Sequence, residues 1–293
     1  MTRQIVRHVF SLLMVFFFLP GTARSQGPPI NTDTAIISGI EGAALRSFLK
    51  YTKKSGDGEL TVLTVPVVIP YELLPNRLLF VGKIPYQRKE RKTAAQRLSS
   101  SGFGDLSLTL KYLFYQKDAL KETTRAVLSG GIKLPTGDDG KPGLSRPLQD
   151  GSGSYDYHAG IVLTHVKERI GLNADIVYTL RTESNGFRFG DTLRYDLAFG
   201  YRLIPAVYRT YPAKQLNLYV ELNGIYAGKD TDNGAEVAGS GGSTIFLSPG
   251  IQFIPGSTFL VEASFQIPVW QDLNGNQLET DYAFLLGFRW LIL

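Results

Sequence analysis

The sequence predicts an all-β fold, a single up-and-down transmembrane antiparallel β-barrel of about twelve strands. Three observations point there. First, the last two-thirds of the chain alternates apolar and polar residue by residue in short segments: across 213–226, Leu216, Leu218, Val220, Leu222, Gly224 and Tyr226 share one face, and Gln215, Asn217, Tyr219, Glu221 and Asn223 the other. Successive strand side chains point to opposite sides, so one face is greasy and the other wet. Second, the chain ends on an aromatic face, Tyr282, Phe284, Leu286, Phe288, Trp290 and Ile292, opposed by Asp281, Ala283, Gly287 and Arg289. On a soluble edge strand such a face invites aggregation. Third, the chain opens like an exported protein. A soluble sandwich also alternates, and the two ends are what separate the readings.

Taken in order, Arg3 and Arg7 precede an apolar run from Val9 to Leu19, then Pro20, Gly21 and small residues at Ala23 and Ser25. Residues 1–25 read as a signal peptide cleaved near Ser25, and 26–293 as one outer-membrane barrel domain. No segment approaches the ~18 consecutive apolar residues of a transmembrane helix, so a membrane position requires strands. Segment 43–52 alternates weakly, yet it is needed to bring both chain ends to one side. Segment 58–69 is more uniformly apolar, and 76–85 alternates well. The segments 102–115, 122–134, 153–165, 169–181, 191–204, 214–227, 243–254, 257–269 and 279–293 complete the series. Short connections at 70–75, 116–121, 166–169, 204–213 and 255–256 alternate with long ones at 86–101, 135–152, 182–190, 228–242 and 270–278, as expected for periplasmic turns and outer loops. The end of the chain resembles the assembly signal of outer-membrane barrels, with Gly287, Trp290 and Ile292 in place. It departs at Leu285, where a polar residue is usual, and at Leu293.

Composition removes several function classes. Arg3, Arg7 and Arg24 supply three of the five net positive charges, so the mature chain gives no argument for nucleic acid. Zero cysteines exclude disulfides, thiolate chemistry and a lipoprotein-type anchor. His158 and His165 fall seven apart in one strand, on opposite faces, which defeats a shared metal site. Neither has a serine partner to nominate, so the chain reads as no enzyme, without cofactor or metal. Asp139-Gly140-Lys141-Pro142 lacks the first glycine and the Ser/Thr of a phosphate loop. Asp272, Asn274, Asn276 and Glu279 fit a turn-rich polar loop better than a calcium loop.

The inward set contains Asp105, Lys111, Arg125, Lys133, Asp156, His158, Asp175, Arg181, Arg194, Asp196, Arg202, Glu221, Glu262 and Arg289. Both signs are present, which argues against a one-sign charge filter. Two outcomes fit: a hydrated passage for small solutes, or a lumen plugged by its own ion pairs with the outer loops doing the work. About twelve strands lies between the filled barrel of eight and the open porin, and does not decide. The basic connection 86–101, with Lys89, Arg91, Lys92 and Arg97 beside Glu90, suits either contact with lipopolysaccharide or plain solvation.

Gly102-Phe103-Gly104-Asp105-Leu106 leading to Lys111-Tyr112, then Lys133-Leu134-Pro135-Thr136-Gly137, Gly151-Ser152-Gly153-Ser154 and Tyr195-Asp196 through Gly200-Tyr201, resemble the outer-membrane proteins grouped under the meta-pathway of phenol degradation. The resemblance runs from about residue 100 to the end, and its motifs are turn and girdle elements. It implies an outer-membrane channel admitting small hydrophobic or aromatic solutes. Its partners would be outer-membrane lipid and lipopolysaccharide, and the barrel assembly machinery at the carboxy-terminal strand.

Overall fold

The fold is taken from a computed structural model that describes residues 27–37, 43–208 and 213–292. The signal peptide expected over 1–25 lies outside the described residues. Alternation becomes twelve wall strands: β1 (Ala43–Gly56), β2 (Gly58–Leu74), β3 (Leu78–Lys92), β4 in two segments (Arg97–Phe103 and Leu106–Ala119), β5 (Glu122–Leu134), β6 (Asp156–Lys167), β7 (Ile170–Leu180), β8 (Thr192–Ile204), β9 (Gln215–Ala227), β10 (Gly242–Ile254), β11 (Phe259–Leu273) and β12 (Glu279–Ile292). Each pairs antiparallel with the next, and β12 pairs with β1 from Ala43 opposite Ile292 to Ser55 opposite Glu279. Closure leaves the barrel wall no free edge to aggregate through, and among its described strands only the projecting Arg97–Phe103 segment is paired on one side alone.

The pleat sorts the side chains as two solvents require. Leu197, Leu218, Val220, Leu286 and Trp290 stand exposed on the outside of the wall, while Glu221, Glu262, Asn217 and Gln252 are buried within it. An outward band of this kind is stable against hydrocarbon and costly against water.

Three connections differ from the sequence expectation. β3 runs on to Lys92 and β4 starts at Arg97, so 86–101 is mostly a projecting hairpin, closed where the Thr93 N–H donates to the Gln96 carbonyl at 2.9 Å. β1 and β2 leave only Asp57 between them, and β11 reaches Leu273. Apolar alternation stops where lipid stops, whereas the hydrogen-bonded ladder continues into water. The loops at 182–190 and 228–242 also carry structure. Glu183–Ser184 pairs with Phe187–Arg188, and Thr231–Asp232 with Ala235–Glu236, and the two hairpins join into a small four-stranded sheet. Asn185-Gly186 and Asn233-Gly234 turn them with positive φ at both central residues, the type I′ geometry that Asn-Gly favours.

Candidate functional site

Residues 27–37 lie inside the barrel and cross its lumen, from the wall made by β9–β12 to the wall made by β4–β6. Wall side chains meet the segment's backbone group by group. The Gly27 carbonyl accepts from the Tyr219 hydroxyl at 2.5 Å, that of Pro28 from Gln252 Nε2 at 2.9 Å, and that of Pro29 from Arg289 at 2.5 Å. Arg46 donates to the Ile30 carbonyl at 2.6 Å. Glu262 sits beneath both guanidiniums, 2.8 Å from Arg46 and 3.0 Å from Arg289, and so aims their remaining N–H groups at the segment.

Glu221 is the centre of the arrangement. Its carboxylate accepts from three successive backbone N–H groups, Ile30 (2.8 Å), Asn31 (3.0 Å) and Thr32 (2.7 Å), and from the Thr32 hydroxyl (2.7 Å). A fully buried carboxylate without these donors would be costly, and consecutive amides converging on one anion are a recurrent solution. Further along, the Asp33 N–H donates to Asp175 at 2.7 Å while its carboxylate pairs with Lys111. Thr164 accepts from the Ala35 N–H at 2.8 Å, and Arg125 donates to the Ile37 carbonyl at 3.1 Å.

Apolar contacts lock both ends. Ile30 packs with Tyr219, Leu285 and Phe48, and Ala35 and Ile37 pack with Leu113, Val127, Val162 and Leu79. Those wall residues are inward by parity yet apolar, on a face the alternation reserves for polar groups. Leu285, which departs from the carboxy-terminal assembly pattern, is one of them, 2% exposed under the segment. Parity-breaking apolar residues were the sequence signal for an internal occupant, and the inward list missed them together with Arg46.

The remaining candidates do other things. Lys133 joins Asp105 (3.0 Å) and Asp156 (2.6 Å), and Asp156 also holds Arg181 at 2.7 Å. Asp105 accepts from the N–H groups of Gly137 (3.0 Å) and Ser152 (2.9 Å), tying down both ends of the loop between β5 and β6. Gly137 and Gly151 cross there so closely that a Cβ at Gly137 would sit 2.8 Å from the Gly151 Cα, which gives that glycine pair a structural role. Arg194 bridges Asp175 (3.0 Å) and Asp196 (3.1 Å). His158 faces the lumen bonded to Thr109 at 2.8 Å; His165 is held on the other face by Thr124 at 2.9 Å. Arg202 is buried, donating to the Pro205 carbonyl at 3.1 Å with its guanidinium over the Tyr208 ring. At the long-loop end the loops border an open cavity of about 600 Å³, lined among others by Leu144, Pro147, Phe187 and Val237 with Asp139 and Arg146.

A family model described as "Putative MetA-pathway of phenol degradation" matches residues 41–273. The chain belongs to that family. Among solved structures, an outer membrane channel from Pseudomonas putida F1 is similar at a TM-score of 0.69 and 15% identity, over 91% of this chain and 100% of that one. The β-domain of the Bordetella autotransporter BrkA gives a TM-score of 0.47 at 15% identity, over 86% of this chain and 99% of that one. The monoaromatic hydrocarbon channel CymD gives 0.42 at 10% identity, over 86% and 89%. No curated protein matches by sequence. The phenol-degradation family match begins at residue 41, so it covers nearly all of the wall and none of the segment inside it.

Proposed function

We propose that this chain is an outer-membrane channel for small solutes, hydrophobic or aromatic ones included, that rests closed by its own amino-terminal segment. The observation that carries the reading is how the lumen is filled. Among the described residues, every hydrogen bond between 27–37 and the wall uses at least one side chain, and none belongs to a backbone ladder. Such bonds exchange for water without disturbing the barrel, and they leave on the wall a row of polar and charged groups, as a passage requires, beside two apolar patches, at Leu285 and Phe48 and at Leu113, Val127 and Val162. The family description supports an aromatic cargo, and the outer cavity, lined by both apolar and charged side chains, has the volume for one small ring. In this reading 1–25 is a signal peptide removed near Ser25, 26–293 is the exported barrel domain, and β12 engages the assembly machinery. The chain works by passage rather than catalysis.

The test is stepwise conductance in planar bilayers. The full chain should show rare, small openings. A chain lacking 27–37, verified as folded by its gel shift on heating, should show long-lived larger ones. Unchanged conductance in that folded barrel removes the gate; silence in both removes the channel and leaves a surface-interaction barrel.

A further inference from the structure

Cations on the outer face of the wall gather on one arc of the long-loop rim. The register sets Lys53 of β1, Arg88 and Lys92 of β3 and Arg97 of β4 on the lipid side. Lys92 opposes Glu59 and Arg97, Arg88 opposes Leu63 and Ser101, and Lys53 opposes Thr61 and Tyr282. Four carboxylates share this face: Glu59 with Lys53 at 3.0 Å, Glu90 with Arg97 at 2.7 Å and Lys92 at 3.4 Å, and, on β12, Glu279 opposite Ser55 and Asp281, which accepts from the Ser55 hydroxyl at 2.5 Å. Within the hairpin of β3 and β4 three outward cations, Arg88, Lys92 and Arg97, share one outward carboxylate, Glu90, and Arg88 is exposed with no acidic partner among the described residues. Elsewhere on that rim the outward strand positions carry no cation: they are neutral at Tyr157, Leu180, Leu193, Tyr226 and Trp270 and acidic at Asp272.

What lies below the cations decides the partner. Tyr86 and Phe103 meet edge to face on the outside of the wall, centroids 5.5 Å apart, 44% and 61% exposed. Arg88 is two residues beyond Tyr86, roughly 5 Å higher on a tilted strand, where acyl chains give way to headgroups. Glu90 holds Arg97 and Lys92 side by side next to it. A free anion would use the charges and ignore the rings. A ligand that needs both carries phosphate above and several acyl chains below.

We propose that this arc binds one phosphorylated, multiply acylated glycolipid of the outer leaflet, with Arg88, Arg97 and Lys92 on its phosphate and its chains along Tyr86, Phe103 and Leu63. The site rests on the outer-membrane reading, with the long loops facing outward. It gives the hairpin of β3 and β4 a use, since that hairpin carries the cations past the end of the apolar band.

Native mass spectrometry of the full chain in detergent, titrated with bis-phosphorylated lipid A and separately with its dephosphorylated form, tests this. The unaltered chain should hold one phosphorylated lipid, and the double variant Arg88→Ala, Arg97→Ala should bind about tenfold less. The double variant Lys121→Ala, Lys167→Ala, at the short-turn end, should bind normally. Heat-shifted gel migration confirms folding of each. Equal binding by the Arg88/Arg97 variant, or equal affinity for the dephosphorylated lipid, overturns the proposal while leaving the channel intact. Absence of the chain from outer-membrane fractions overturns both.

Discussion

The two faces of β9 differ in how many environments each must satisfy. Outward, Leu218, Val220 and Leu222 meet one solvent, and a single rule, apolar at every second residue, describes them. Inward, Tyr219 packs on Ile30, Glu221 gathers the segment's amides, and Asn223 bridges to Asp196 at 3.1 Å. Three successive inward positions serve three purposes. A face against bulk solvent is uniform and its pattern is readable; a face against other parts of the same chain is specific, and its pattern is the shape of the partner.

The sharpest break of that contrast is an arginine placed on each side. Leu197, 51% exposed on the outside of β8, lies near the middle of its strand. Leu197→Arg should cost about 2–4 kcal/mol, the usual penalty for that charge near the bilayer midplane. Thr179→Arg on the inward face of β7 should cost less than about 1 kcal/mol, because a lumen substituent meets water and other polar groups. Urea unfolding in lipid vesicles measures both. Equal costs would mean that the outward face does not touch hydrocarbon.

Next in size is the removal of the central carboxylate. Glu221→Gln replaces one acceptor oxygen with donor hydrogens facing the amides of Ile30, Asn31 and Thr32, and should weaken docking of 27–37 by about 2 kcal/mol. The chain's lack of cysteine makes this easy to read. A single Ile36→Cys reporter should react with a maleimide about thirtyfold faster in the Glu221→Gln background, with the wall's unfolding midpoint hardly moved. An unchanged rate would show that apolar contacts hold the segment alone.

This inner and outer difference also explains what the sequence made legible. Strand count, closure and the side-chain sorting along 191–204, 214–227 and 279–293 followed from the outward period, since each residue's environment was set by its parity. Parity gives Glu221, Glu262 and Arg289 one face, but nothing in their spacing says that they converge on Pro29–Thr32, from 189 residues away for Glu221 and Thr32 to 260 for Arg289 and Pro29. Long-range pairing of this kind leaves no local periodicity. The hairpin at 86–101 has the sequence of a loop for a related reason: Arg88 and Ser101 pair outside the lipid, where alternating hydrophobicity no longer marks a strand.

The smallest effect is the most discriminating, because it separates the wall from its occupant at one residue. Leu285 is inward on β12, and a polar side chain there is the usual form of the assembly pattern it interrupts. If it is apolar only because Ile30 rests on it, Leu285→Asn should leave assembly and unfolding of the barrel unchanged. It should loosen the segment by about 1 kcal/mol, since Tyr219 and Phe48 still cover Ile30. The Ile36→Cys reporter should then label about fivefold faster. A barrel that fails to assemble, with its segment still docked in the folded fraction, would instead make Leu285 a residue of the wall itself. The apolar inward positions Leu113, Val127 and Val162 would then need the same reinterpretation.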